Sequence, residues 1–192
     1  MHTVLTVIIA LAAGQASLAG VEVRFCPAGA ARSYSLDATH GATSLVVQGI
    51  AVANAAIEPV KLDRVTIELL RSGNAVDVRT VSAEELAHAA AGGKALADSG
   101  MLTLVGFQFC DGALLAGSKL AADTTLQSNE SLILLHQSFA WRGVRDALRV
   151  SAAGASATIP IDGSFALPAI RWPLQGGPWT VAAGASLHTA HR

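Results

Sequence analysis

Residues 62–81 read LDRVTIELLRSGNAVDVRTV and carry the clearest fold signal of the chain. Apolar and polar residues alternate over residues 62–70 and again over 76–81, and many of the apolar ones are β-branched, which is typical of half-buried strands. The turn residues of Arg71-Ser72-Gly73-Asn74 predict a tight hairpin between the two runs. This stretch therefore predicts two antiparallel strands.

The same alternation recurs elsewhere in the chain. No run of strands alternates with long helices, so a parallel sheet is not expected, and the pattern favours an antiparallel immunoglobulin-like β-sandwich over residues 20–166. Pro59 separates two of the strands, because proline lacks the N–H that a central strand needs. The further strands expected lie at residues 21–25, 44–52, 131–139, 147–151 and 157–161.

One segment departs from the strand pattern. Ser82-Ala83-Glu84-Glu85 is a capping box, and the residues after it, up to Ala91, are good helix formers. Gly92-Gly93 is expected to end this helix, with one more short helical turn before Gly100. We therefore predict a helical insertion at about residues 82–100, followed by an apolar, strand-like run over residues 101–109.

Composition limits the function classes. The chain has 192 residues, a formal net charge of −1, 52% hydrophobic and 14% charged residues, and 38 alanines. It is long enough for one or two small domains that bury an ordinary core. The charge balance excludes a strongly basic nucleic-acid binder and a highly charged disordered chain.

The N-terminus has the features of an export signal. Residues 4–13 form an apolar run too short to cross a hydrocarbon core of about 30 Å, and Ser17 and Ala19 offer a small-residue cleavage site before Gly20. Residues 1–19 are thus predicted to be a helical signal peptide; an uncleaved anchor or a misread start is the alternative. We expect a periplasmic or secreted mature chain without a membrane span.

Cys26 and Cys110 are the two cysteines of the chain. An even pair in an exported protein favours one disulfide, because the compartment is oxidising, and two free buried thiols are the alternative. A catalytic thiol is not expected, since neither cysteine has a neighbouring histidine or a CxxC partner.

The histidines offer only a weak metal signal. His188 and His191 lie three residues apart near the C-terminus, whereas a catalytic zinc needs three protein ligands, so they are incomplete candidates. His136 is expected to be an ordinary strand residue that alternates to the face opposite Leu135 and Gln137, and His40 and His88 are expected on the surface.

No enzyme motif is complete. Residues 154–158 fail the nucleophile-elbow pattern at the last position, and the Gly93-Lys94 pair lacks the remainder of a phosphate loop. We predict no catalytic residues and no cofactor in this chain. The aromatic residues of the apolar strands favour a core position over a binding surface; they are Phe107, Phe109, Phe139 and Trp141.

From residue 167 to 192 the chain is rich in proline, glycine and tryptophan, which is typical of a linker or tail. Several phrases together carry a family resemblance: HGATSL at 40–45 leading into QGIAV at 48–52, PVKLDRVTIELLR at 59–71, SGML at 99–102, and WTVAAG with LHTAHR at 179–192. They resemble the N-terminal β-sandwich region and inter-domain junction of exported bacterial zinc metallopeptidases of the M23 (lysostaphin-like) family.

The resemblance implies a zinc site built from H-x-x-x-D and a later H-x-H, in a peptidase domain that cleaves peptidoglycan cross-bridges. Neither motif occurs in this chain, so zinc is expected only with that missing domain. The expectation is an exported non-catalytic module whose partner is peptidoglycan or an envelope protein, bound through a sheet edge or the 82–100 insertion. The alternatives are a truncated or partial precursor of an M23 zinc endopeptidase, with residues 167–192 as the start of its peptidase domain, and an unrelated secreted binding domain.

Overall fold

The computed structural model describes residues 20–37, 41–101, 114–115 and 117–163. This part of the chain is mostly β, with one helix, α1 (Ala83–Asp98). The strands, in chain order, are β1 (Val21–Cys26), β2 (Ala31–Asp37), β3 (Ala42–Asn54), β4 (Val60–Lys61), β5 (Arg64–Arg71), β6 (Asn74–Ser82), β7 (Lys119–Leu120), β8 (Thr125–Leu126), β9 (Glu130–Arg142), β10 (Ala147–Ala152) and β11 (Ala155–Asp162).

Nine strands form one sheet in the order β6-β5-β10-β11-β2-β3-β9-β7, with β1 also paired to β3. The strands β4 and β8 form a separate small pair. Pairing is antiparallel except for the two short parallel contacts of β11 with β2 and of β7 with β9. The sheet curls, and its main core holds side chains from both halves, such as Ile67 of β5 and Ile50 of β3.

The two-residue turns follow from local chemistry. The predicted hairpin at residues 71–74 is confirmed: Ser72 and Gly73 have φ values of 50° and 80° between β5 and β6. Ala153 and Gly154 have φ values of 47° and 81° between β10 and β11. Positive φ at both central positions defines the type I′ turn, whose twist matches that of the flanking strands.

The long strands β3 and β9 pair over their whole lengths and change face together. In β3 the core residues are Leu45 and Val47, then Ile50 and Val52, so the alternation shifts by one position at Gln48. His136 lies opposite this point in β9, with a φ of 49°. A backbone irregularity of this kind lets one strand contribute to two regions of a curved sheet.

This change of face departs from the simple alternation expected around His136. Its consequence for β9 is that Leu132 and Leu134 face the main core before His136, whereas Phe139 and Trp141 do so after it. Gln137 donates from Nε2 to the carbonyl of Leu135 at 2.8 Å. Its Oε1 is buried and has no hydrogen-bond partner among the described residues.

The start of α1 agrees with the sequence prediction, and its end does not. Ser82 Oγ accepts from the backbone N–H of Glu85, and the Glu85 side chain accepts from the Ser82 N–H, which completes the capping box. The predicted helix end at Gly92-Gly93 is wrong, because α1 continues to Asp98. Gly93 instead packs closely against Ile133 of β9, because a Cβ at this position would lie only 3.2 Å from Ile133 Cγ1.

The other predicted strands appear with extended bounds, and β2 and the two-residue strands β4, β7 and β8 are additional. The predicted signal peptide, the apolar run beyond Met101 and the tail from residue 164 lie outside the described residues. Among the residues that are described, no helix combines the length and apolar character needed to cross a membrane.

Candidate functional site

The strand β6 ends the large sheet on one side. Its only strand neighbour within the described residues is β5, so its outward-facing backbone edge, residues 74–82, has no paired strand there. We call this edge the β6 edge. Residues 74–80 are all exposed, and the Val78 side chain is 62% exposed. An unpaired edge with exposed apolar side chains can accept another strand by main-chain hydrogen bonding.

The register of β5 and β6 determines which β6 side chains point toward the core. Arg79 lies opposite Ile67 and Asp77 lies opposite Leu69. Directly opposed residues share a face of the sheet, and Ile67 and Leu69 are buried in the main core. Asp77 and Arg79 therefore lie on the inner face of the sheet, whereas Val78 lies on the outer face.

A cavity of about 180 Å³ lies beside the β6 edge, and we call it the edge cavity. Its walls come from β5, β6 and β9, so it sits where the two ends of the curled sheet approach each other. Its lining combines apolar residues with two charged ones; the residues are Ile67, Leu69, Asp77, Val78, Arg79, Phe139 and Ala140. Phe139 reaches it because β9 changes face at His136, three residues earlier.

The charges of the β6 edge have intramolecular partners but remain accessible. Arg145 donates from Nε to Asp77 Oδ2 at 2.7 Å. Arg79 lies 4.0 Å from Glu85 Oε1, at the outer limit of an ion pair. The Asp77 and Arg79 side chains are 49% and 46% exposed. Inward-pointing charges on an edge strand oppose indiscriminate pairing, so they select for a partner of matching charge.

The pKa of Glu85 is held below its usual value, chiefly because its carboxylate accepts the backbone N–H of Ser82. Glu85 therefore stays ionised at neutral pH and keeps a negative charge beside Arg79. The inner side of the β6 edge thus presents a carboxylate at position 77 and a guanidinium at position 79. Two unlike charges two residues apart form a pattern that another strand can match.

Several sequence-predicted site residues lie outside the described residues: the metal candidates His188 and His191, His40, Cys110, Phe107 and Phe109. His88 and His136 are exposed. Cys26 is 1% exposed, and its Sγ lies 3.4 Å from Gln48 Oε1. Trp141 is buried in the main core, as expected, whereas Phe139 is half-buried and lines the edge cavity.

Sequence reasoning located the strand β6 but not its role. The pattern of Val76, Asp77, Val78 and Arg79 alone favours the valines as the core-facing residues. The sequence signal that could have corrected this is Val81. It lies two positions after Arg79 and four after Asp77, so its apolar side chain shares their face of the strand, and in the structure it is buried. Within the described ranges, no three histidine, cysteine, aspartate or glutamate side chains are grouped so that they could hold a metal ion.

Comparison of the chain with protein-family models, with curated proteins and with solved structures found no match.

Proposed function

We propose that this chain is an exported, non-catalytic binding module, and that it captures an extended segment of an envelope protein along the β6 edge. The observation that carries the proposal is an exposed edge strand, without a strand partner on its outer side in the described chain, beside a cavity lined by Ile67, Leu69 and Phe139. In this binding mode main-chain hydrogen bonds supply affinity, and side-chain pockets supply specificity.

We further propose that the curled sheet is an immunoglobulin-like sandwich related to the accessory region of M23 peptidases. Support comes from the core shared by the two halves of the sheet and from the position of the family-like phrases. The phrase at residues 59–71 forms β4 and β5, so it lies next to β6. A module of this kind positions a substrate for a neighbouring peptidase, or covers that enzyme's active site.

The charges on β6 define the sequence that an antiparallel partner needs. The residue opposite Arg79 comes first in the partner's chain direction and should be acidic. The residue opposite Val78 should be apolar, and the one opposite Asp77 should be basic. Opposed unlike charges stabilise a strand pair by roughly 0.2–1 kcal/mol each, whereas like charges destabilise it. The expected ligand is therefore an extended acidic–apolar–basic segment.

Fluorescence anisotropy with labelled strand-forming peptides tests this function. We expect a peptide containing Glu-Val-Arg to bind about tenfold more tightly than peptides containing Arg-Val-Arg or Glu-Val-Glu, which place one like-charge pair against β6 in either chain direction. The variant Asp77→Arg should instead bind Glu-Val-Glu most tightly and Arg-Val-Arg most weakly, because it presents two basic residues. Lys94→Asp on α1 should keep the preference of the parent chain for Glu-Val-Arg. Equal affinities for the three peptides, or no binding, would refute the proposal.

The predicted export and disulfide belong to the same proposal. Fusion of residues 1–25 to a reporter that is active only outside the cytoplasm should give an active reporter. Non-reducing mass mapping should recover a peptide pair joined through Cys26 and Cys110. Two cysteines that react with an alkylating reagent in the native protein would exclude the bond.

The alternative of a zinc endopeptidase precursor is favoured by the junction-like phrases at residues 179–192. It is tested by metal analysis of the purified chain and by a turbidity assay on peptidoglycan. We expect neither stoichiometric zinc nor lysis from this chain. Bound zinc together with lysis would favour the enzyme over the binding module.

A further inference from the structure

We infer that the β6 edge pairs with the β6 edge of a second copy of this chain, antiparallel and about a two-fold axis at Val78. The inference rests on the proposed function, because it names one partner for the same edge. A second copy is the partner because β6 itself carries the sequence that an antiparallel ligand of β6 requires.

The self-complementarity follows from residue order. Read from N- to C-terminus, Asp77-Val78-Arg79 is acidic, apolar and basic. In an antiparallel pair centred on Val78, Asp77 lies opposite the partner's Arg79, and Arg79 lies opposite the partner's Asp77. The two valines face each other on the outer side of the sheet. A two-fold interface of this kind is isologous, since every contact occurs twice.

The existing contacts of these side chains leave room for the new pairs. The bond from Arg145 occupies Oδ2 of Asp77, and a carboxylate has a second oxygen that can accept from a guanidinium. Arg79 holds Glu85 only at 4.0 Å, and both side chains of that pair are half-exposed. Val78, at 62% exposure, would lose water contact against its symmetry mate.

Pairing about a two-fold axis also limits association through the β6 edge. An antiparallel pair of identical edges uses both edges and stops at two copies. The dimer would also hide the β6 edge, so an envelope segment must compete with self-association.

Analytical ultracentrifugation of the purified full chain tests the inference. We expect a reversible dimer that weakens as salt concentration rises, because the charge pairs are partly exposed. Asp77→Arg alone and Arg79→Asp alone should each weaken the dimer at least tenfold, since each variant faces like charges at both positions. Lys94→Asp also breaks an intramolecular ion pair, but away from β6, and it should leave the dimer unchanged.

Mixing the two β6 variants provides the decisive measurement. Asp77→Arg carries two basic residues and Arg79→Asp carries two acidic ones, so a one-to-one mixture should restore a heterodimer. Restoration also shows that both variants are folded. If either variant fails to fold, Val78→Lys replaces it, because this exposed change leaves Asp77 and Arg145 in place and should weaken the dimer as well.

A chain that stays monomeric at every concentration, variants that dimerise as well as the parent, or a mixture that stays monomeric would each overturn the inference. These outcomes differ from failure of the proposed function. A monomer that still prefers the Glu-Val-Arg peptide refutes self-pairing and leaves the binding module standing. A dimer that follows the charge pattern while no peptide binds supports self-pairing and refutes capture of other segments.

Discussion

Replacement of Asn54 by alanine should be among the most destabilising single changes outside the aliphatic core. Asn54 ends β3 and is 1% exposed. Its Nδ2 donates to the carbonyls of Glu58 and Leu126 at 2.8 and 3.0 Å, and its Oδ1 accepts from the N–H of Ala56 at 2.9 Å. One side chain thus connects the end of β3, the loop after it and β8.

The magnitude follows from these three bonds. Each contributes about 1 kcal/mol net, and a buried polar group left without a partner costs a similar amount or more. Alanine would leave two carbonyl groups and one N–H without this partner, because no methyl group can replace them. We therefore expect Asn54→Ala to lower the free energy of unfolding by about 3 kcal/mol.

Urea denaturation followed by far-ultraviolet circular dichroism measures this loss. Asn74→Ala is the matched control, because Asn74 is exposed and donates one bond, to the Ser72 carbonyl at 3.3 Å. That variant should change stability by no more than about 0.5 kcal/mol. A loss below about 1 kcal/mol for Asn54→Ala, or equal losses for the two variants, would show that the bonds of Asn54 do not hold this junction.

Three further predictions concern the sheet and the helix. The pKa of Glu68 is lowered chiefly by its hydrogen bond with Arg149. Its contribution to folding stability is therefore present above its unfolded pKa and is lost as pH falls through the lower folded pKa. Glu68→Gln should flatten the acid side of a profile of stability against pH, and an unchanged profile would contradict this. Ala153→Asn should raise stability by about 0.5–1 kcal/mol in thermal unfolding, because asparagine tolerates the positive φ of a type I′ turn better. Ser82→Ala should lower the free energy of unfolding by about 1 kcal/mol in urea titrations, because it removes the N-cap of α1. Ser72→Ala is the control, since Ser72 caps no helix.

The parts of the fold that were predictable depend on interactions between near neighbours in sequence. The Arg71–Asn74 turn and the Ser82–Glu85 capping box were both located correctly, because their energies come from a few adjacent residues. The strand β2 was not predicted. Its sequence, ARSYSLD, has serines where β-branched residues usually mark a strand, and its pairing with β3 supplies what local preference lacks.

The end of α1 shows the same limit. Gly92-Gly93 carries the local signal for termination, yet α1 continues because Gly93 allows close approach to Ile133. A contact between residues forty positions apart outweighs a helix preference of about 1 kcal/mol per glycine. The candidate site depends on distant contacts still more strongly, since Phe139 reaches the edge cavity only because β9 changes face at His136.

From the sequence alone came the mostly β class, the positions of the main strands and the start of the helix, because alternation, turn residues and caps act over a few residues. Only the tertiary structure decided which side of β6 is buried and where β3 and β9 change face. In β6 both faces carry valines, so alternation alone does not select the inner face, and the choice is made by the pairing with β5. In β6 that choice turns Asp77 and Arg79 inward and Val78 outward, which creates the edge on which the proposed function depends.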